Sequence, residues 1–97
     1  MVEQGDMITV RGIAFPLLVV SKNEYNKCGS AIVCPILKQQ PDITLYEYIE
    51  SDVLSGYVCC DNMKLLNIDE RGAFVKGRIP LVTMMDILGK IQAIFDY

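Results

Sequence analysis

Runs of apolar and β-branched residues, separated by polar turns, make up most of the chain. The run 15–21 (Phe-Pro-Leu-Leu-Val-Val-Ser) is almost continuously apolar, which is typical of a strand buried on both faces. The run 31–37 has the same character, and Pro35 near its end predicts a sheet edge or a bulge. In all, the pattern predicts seven strands, at 7–11, 15–21, 31–37, 44–49, 56–61, 65–68 and 73–76.

The period of the apolar positions changes near the C-terminus and predicts one amphipathic helix. Pro80 or Thr83 marks its start, and its apolar stripe is expected to be core or dimer surface. The segments 22–30, 39–42 and 67–72 are predicted to be polar loops and turns. The stripe recurs every three or four residues, at Met84, Ile87, Leu88, Ile91, Ile94 and Phe95.

These elements predict a mainly β fold, a small and strongly bent antiparallel sheet or barrel with one C-terminal α-helix packed on it. The 97 residues suffice for one hydrophobic core, so we expect residues 1–97 to form a single domain. An apolar fraction of 52% excludes a disordered chain. The net charge of −3 excludes a general nucleic-acid coating protein, although a local basic face remains possible.

The longest apolar run, 13–20, is interrupted by Pro16 and is far shorter than the roughly 20 residues of a membrane-spanning helix. The N-terminus is acidic where a signal peptide would be basic, so no membrane association and a cytoplasmic location are expected.

The cysteines carry no recognisable metal motif. Cys28, Cys34, Cys59 and Cys60 form no C-x-x-C pair, and the chain has no histidine. Histidine catalysis is therefore excluded, and we expect reduced, partly buried thiols with no metal site and no cofactor.

Several stretches, taken in order, resemble the PemK/MazF-type toxins, the mRNA interferases of bacterial type II toxin–antitoxin systems. Gln4-Gly5-Asp6-Met7-Ile8 resembles the Gly-Asp/Glu-Ile opening of that family. The closest stretch is 56–68, Gly-Tyr-Val-Cys-Cys-Asp-Asn-Met-Lys-Leu-Leu-Asn-Ile. The resemblance covers nearly the whole chain, and its other parts are 15–21, Tyr25-Asn26-Lys27, 31–36, Arg71-Gly72, Arg78-Ile79-Pro80 and the terminal helix.

The resemblance implies an SH3-like antiparallel barrel of the PemK/CcdB kind that forms homodimers and cleaves single-stranded RNA at short sequences. In this family an antitoxin neutralises the toxin by laying an acidic C-terminal segment across the RNA groove. The reaction needs no metal, because the ribose 2′-hydroxyl attacks the adjacent phosphate. That chemistry requires a base, an acid and positive charge around the phosphorane.

The chain departs from the family pattern at chemically important positions. Phe15 precedes Pro16 where the family usually has Arg, and Leu37 and Lys38 follow the third strand where it has Thr or Ser. Cys59 stands where the PemK branch has Arg. The loop between the first two strands, which carries RNA contacts in the family, is reduced to about 12–14.

Asp61 is retained and is the first candidate for the acid or base, although a strand-end Asp also bonds local backbone in turns. Asp6 is a possible second carboxylate or a cap on the first strand. Lys38 and Arg11 are the cations that can replace the missing arginines, or are solvated surface charges. The predicted RNA-binding residues are Lys22, Asn26, Lys27 and Gln39.

Two functions remain open from the sequence. One is a metal-independent endoribonuclease toxin whose active site is rebuilt around Asp61. The other is a module on the same barrel that has lost catalysis and binds an antitoxin-like partner, RNA or another target. The Phe15 and Cys59 replacements favour the second, and the near-full-length resemblance with Asp61 favours the first.

Overall fold

One long central strand organises the fold. The computed structural model describes residues 1–42 and 45–95. The central strand is β3 (Ser30–Leu37), which pairs directly with three of the other six strands. The remaining elements, in chain order, are β1 (Asp6–Val10), β2 (Leu17–Val19), α1 (Asn23–Asn26), β4 (Tyr46–Glu50), β5 (Ser55–Cys59), β6 (Lys64–Asn67), α2 (Ile68–Arg71), β7 (Ala73–Arg78) and α3 (Leu81–Phe95).

All strand pairs are antiparallel, and the strand order is β4-β5-β3-β2-β1-β7. On its other edge β3 pairs first with β6, over Ser30 to Val33, and then with β5, at Ile36 and Leu37. This change of partner bends the sheet into a curled half-barrel, which confirms the predicted β fold with a C-terminal helix.

The two faces of the sheet carry separate apolar clusters because neighbouring residues of a strand point to opposite faces. One cluster lies under α3, whose Met84, Ile87 and Ile91 are buried against it. The other lies on the opposite face and includes Leu17 and Val33, with Phe15 packed at its border. Within the described residues the second face has no long helix over it, and it is packed instead by Val2, by Ile68 of α2 and by the connection between β1 and β2.

Of the two alternatives predicted at Pro35, an edge or a bulge, the sheet edge is wrong, because β3 lies in the middle of the sheet. The Ile36 amide donates to the Pro16 carbonyl on the β2 side. Since amide directions alternate along a strand, the position of the missing N–H of Pro35 faces the opposite side of β3. On that side, the pairing with β6 ends at Val33 and the pairing with β5 begins at Ile36. Pro35 therefore fits a central strand at the one place where no partner needs its donor.

The loop and turn predicted at 22–30 and 67–72 each contain a single-turn helix, α1 and α2. The helix α2 is capped by Asn67, whose side chain accepts a hydrogen bond from the Glu70 amide. The predicted strand at 44–49 begins at Tyr46 instead, and Thr44 lies outside the described residues. The terminal helix begins at Leu81, directly after Pro80 as predicted.

The cysteines are free, with Cys28 exposed and the other three buried. Burial raises the pKa of Cys34 from 9.0 to about 12, with smaller contributions from Cys60, Cys59 and Asp61. Burial likewise raises the pKa of Cys60 from 9.0 to about 11 and raises the pKa of Cys59. These thiols are protonated, and therefore weak nucleophiles, in the folded protein at neutral pH.

The buried thiols predict a loss of stability in alkali. The folded protein holds their protons more tightly than the unfolded chain, so their contribution is complete below pH 9 and is lost as the pH rises toward 11 to 12. We expect the free energy of unfolding to fall by about 1 kcal/mol per pH unit for each thiol in this window. Urea titrations under reducing conditions measure the slope, and a Cys34→Ala variant with an unchanged slope would contradict this origin.

Candidate functional site

An open groove of about 410 Å³ lies on the sheet face that α3 does not cover. Its floor is formed by Leu17, Val33 and Leu66, from three adjacent strands. One wall is the connection between β1 and β2, residues 12–15, which ends in Phe15. The lining is mainly apolar, but Leu17 and Val33 are only 1% and 0% exposed, so the apolar surface open to a ligand is mainly that of the wall residues.

Two cations, Lys64 and Arg71, line the same groove. Lys64 opens β6 and is paired with Val33, so it lies on the same face as the groove floor. Arg71 ends the single-turn helix α2. Neither side chain forms an ion pair with any residue in 1–42 or 45–95, and the groove lining contains no carboxylate. Their charge is therefore available for an anionic ligand.

Arg11, Lys38 and Gln39 lie at one end of the sheet and are exposed. Ile8 is paired with Leu17, and Leu17 with Pro35. Because β2 is antiparallel to both neighbours, β1 and β3 run in the same direction, and Arg11 and Lys38 directly follow their C-terminal ends. The structure thus places two of the predicted catalytic cations at the same end of the sheet, and Arg11 directly precedes Gly12 of the groove wall.

Asp61 is exposed in the turn that joins β5 to β6, three residues before Lys64. It does not line the groove itself, and neither do Asp6 and Lys38. The pairing of Tyr57 with Leu37 puts Gly56 level with Lys38, so Asp61 lies five residues further along the chain, beyond the end of β5. Lys64 is the groove cation that follows Asp61 most closely in the chain, and it was not among the predicted catalytic residues.

Asp6 is only 5% exposed and belongs to a structural network. One carboxylate oxygen accepts a 2.8 Å hydrogen bond from the Glu3 amide, and the other lies 3.3 Å from the Arg78 guanidinium. Arg78 in turn donates to the Gln4 carbonyl. These contacts fix the chain ahead of β1, and burial removes Asp6 from the accessible acids and bases.

Asn26 is also buried, at 2% exposed. Its amide donates to the carbonyls of Ser21 and Val2, and its oxygen accepts from the Ser21 hydroxyl. This side chain holds the segment around α1 in place and is not available to RNA. Because Asn26 is buried, we do not include it among the residues of the candidate site.

Lys22 and Lys27 flank α1 and are exposed, and Lys27 is paired with Glu24 at 3.1 Å. They lie beyond the start of β3, whereas Gln39 lies beyond its end. An eight-residue strand is about 26 Å long, so the predicted RNA-binding residues are divided between opposite ends of the sheet.

No group of three or more His, Cys, Asp or Glu side chains within residues 1–42 and 45–95 is arranged to hold a metal ion. None of the helices in those ranges is long and apolar enough to cross a membrane.

The sequence analysis missed Lys64 and Arg71. A signal for Lys64 was present, since strand alternation places it on the same face as Leu66. That signal becomes informative only when the buried face of Leu66 is known to adjoin an open groove. Arg71 had no comparable signal, because its position depends on how α2 folds back beside β6.

The family model described as "PemK-like, MazF-like toxin of type II toxin-antitoxin system" matches residues 11–95. No curated protein matches the chain. Among solved structures, MazE-MazF (Form-I) from Deinococcus radiodurans superposes with a TM-score of 0.87 at 21% identity, covering 97% of this chain and 95% of that chain. At this identity the likeness shows the fold alone.

Two structures from Mycobacterial species are also similar. An endoribonuclease has a TM-score of 0.82 and 26% identity, with 97% of this chain and 90% of that chain covered. An endoribonuclease in complex with its cognate antitoxin has a TM-score of 0.79 and 25% identity, with 98% of this chain and 95% of that chain covered. Since the family model spans most of the chain, this protein belongs to the PemK-like, MazF-like toxin family of type II toxin–antitoxin systems.

Proposed function

We propose that this protein is the toxin of a type II toxin–antitoxin pair and a sequence-specific, metal-independent endoribonuclease that acts on single-stranded RNA in the cytoplasm. The observation that carries the proposal is the groove on the sheet face opposite α3, with Lys64 and Arg71 as its two cations and without a lining carboxylate. Membership of the toxin family supports the same reading. A mainly apolar groove that carries two cations suits a single RNA strand, which offers bases and phosphates together.

In the proposed reaction Asp61 is the general base. It takes the proton of a ribose 2′-hydroxyl, and the 2′-oxygen attacks the adjacent phosphorus. The bond from phosphorus to the 5′-oxygen breaks, and that oxygen takes a proton from water. The products carry a 2′,3′-cyclic phosphate and a 5′-hydroxyl.

The cations have separate roles in this proposal. Lys64, three residues from Asp61, stabilises the charge that develops on the phosphorane, and Arg71 binds a neighbouring phosphate. Arg11 and Lys38 extend the positive surface to the end of the sheet, where they attract the phosphates of the rest of the RNA strand.

The proposed partners are a cognate antitoxin and a second copy of the chain. An acidic C-terminal segment of the antitoxin would compete with RNA for Lys64 and Arg71 by charge complementarity. The helix α3 leaves Leu81, Val82, Met85 and Phe95 exposed at 62–74%, an apolar surface that a homodimer would cover. Light scattering should then give about twice the 10.9 kDa mass of one chain, and a monomer at high concentration would contradict the dimer.

A second candidate function is binding without cleavage, and one observation favours it. Phe15, at the position where the family resemblance leads one to expect Arg, lines the groove and supplies no charge there. A groove that binds RNA or an antitoxin needs no base at Asp61, whereas cleavage does.

Expression in a bacterial host tests the proposal. We expect growth arrest on induction, together with new 5′-hydroxyl ends in cellular transcripts. Arrest with intact transcripts would support binding alone, and normal growth at high expression of folded protein would contradict a toxin.

A further inference from the structure

Three tyrosines form a ring cluster on the outer surface of the β4–β5 hairpin. Tyr48 and Tyr57 are directly paired across the strands, with ring centroids 5.0 Å apart. Tyr46 contacts Tyr57 edge-on at 5.5 Å. Tyr48 is 49% exposed, and the other two rings are partly exposed. We call Tyr46, Tyr48 and Tyr57 the tyrosine platform.

Strand alternation fixes the face on which the platform lies. The intervening residues Ile49 and Val58 are buried in the cluster beneath α3. Glu47 also points to that side, where it pairs with Lys90 of α3 at 2.6 Å. The tyrosine rings therefore lie on the face opposite α3, the face that carries the groove.

The groove and the platform lie at two positions along the same face of β3, with the buried Pro35 between them. Val33 lines the groove, and Leu37 is paired with Tyr57. These two residues share one face because they are four positions apart, which corresponds to about 13 Å along the strand. Gly56 permits this pairing, since a Cβ there would lie only 2.6 Å from the Leu37 carbonyl oxygen.

The charges beside the platform differ on its two sides. Lys38 directly follows Leu37, is exposed, and forms no ion pair with any residue that the structure describes. On the far side, the Tyr48 hydroxyl donates to Glu50 at 3.1 Å. Glu50 therefore disfavours a phosphate backbone on the β4 side of the rings, and Lys38, exposed where β3 ends, adds a positive charge at the end of the strand on the other side.

We propose that the tyrosine platform stacks unpaired bases of the RNA strand whose phosphates are held by the groove cations and Lys38. Aromatic side chains stack on any base, so the platform adds affinity on one side of the scissile bond and little sequence preference. This inference rests on the proposed function, because it extends the RNA site of the same face.

The test uses a fluorescein-labelled 2′-O-methyl oligoribonucleotide, which lacks the attacking hydroxyl and cannot be cleaved. We expect Tyr48→Ala to weaken binding by about 5- to 150-fold, the range for loss of one stacked base. Tyr48→Phe keeps the ring and should bind within about twofold of the unmodified protein. Tyr25→Ala is the matched control, since Tyr25 is 40% exposed but lies on α1.

Intrinsic fluorescence gives a second measurement, because the chain has five tyrosines and no tryptophan. The oligonucleotide should quench tyrosine emission, and Tyr48→Phe should reduce the quenching while preserving affinity.

The failures of the two proposals are distinguishable. If the unmodified protein does not bind the oligonucleotide, the proposed function fails and the platform fails with it. If Lys64→Met weakens binding and Tyr48→Ala does not, only the platform is overturned. A Tyr48→Ala variant that loses the antitoxin but keeps full affinity for RNA would likewise overturn it, and would assign the rings to the protein partner.

Discussion

Replacing Asp61 by Asn should lower kcat/KM for RNA cleavage by about 10²- to 10⁴-fold, the usual contribution of a general base. The amide is nearly the same size as the carboxylate but cannot accept the 2′-hydroxyl proton at neutral pH. Asp61 is exposed in the β5–β6 turn, so the substitution should leave the fold unchanged. Affinity for a non-cleavable oligonucleotide should change little, because the cations and the apolar wall of the groove remain.

Asp52→Asn is the matched control, since Asp52 is an exposed carboxylate in the loop between β4 and β5, away from the groove lining. It should cleave at the rate of the unmodified protein. An Asp61→Asn variant that cleaves equally fast would exclude Asp61 as the base. The cation-lined groove would then need a different proton acceptor.

Removing both groove cations, with Lys64→Met and Arg71→Met, should produce the second large loss. If one of them stabilises the phosphorane, cleavage should fall by about 10²- to 10³-fold. Binding should also become less sensitive to salt, because each lost phosphate contact reduces the slope of log K against log salt by about 0.7 for a single strand. Measuring affinity over a salt series separates this effect from a loss of folded protein.

Lys76→Met is the control that removes one positive charge outside the groove. Lys76 is exposed on β7, lies 5.9 Å from the centre of the Phe74 ring and does not line the groove. If its removal changes the salt slope as much as the removal of Lys64, the RNA responds to overall charge and the groove is not its path.

Much of the fold could be predicted from sequence because its determinants are local. Apolar runs placed all seven strands to within a few residues, and Pro80 marked the start of α3. The prediction of a sheet edge at Pro35 is wrong for a physical reason. A proline usually marks an edge, and only the change of partner along β3, a long-range feature, makes it acceptable in the centre.

The candidate site was harder to predict, because it depends on which face of the sheet is left open. The sequence directed attention to Asp6 and Asn26, both of which resemble functional polar residues but are buried and hydrogen-bonded within the scaffold. Lys64 looks like an ordinary surface lysine until β6 is paired with β3 beside the groove. Burial and strand pairing, not residue type, distinguish Asp6 and Asn26, which belong to the scaffold, from Lys64, which lies in the groove.

The most direct test of the central claim is incubation of the purified protein with mixed single-stranded RNA in excess EDTA, followed by analysis of the product ends. We predict defined fragments that end in a 2′,3′-cyclic phosphate on one side and a 5′-hydroxyl on the other, and their loss in Asp61→Asn. Intact RNA at high concentrations of folded protein, or cleavage that stops when EDTA is added, would contradict a metal-independent ribonuclease built on this groove.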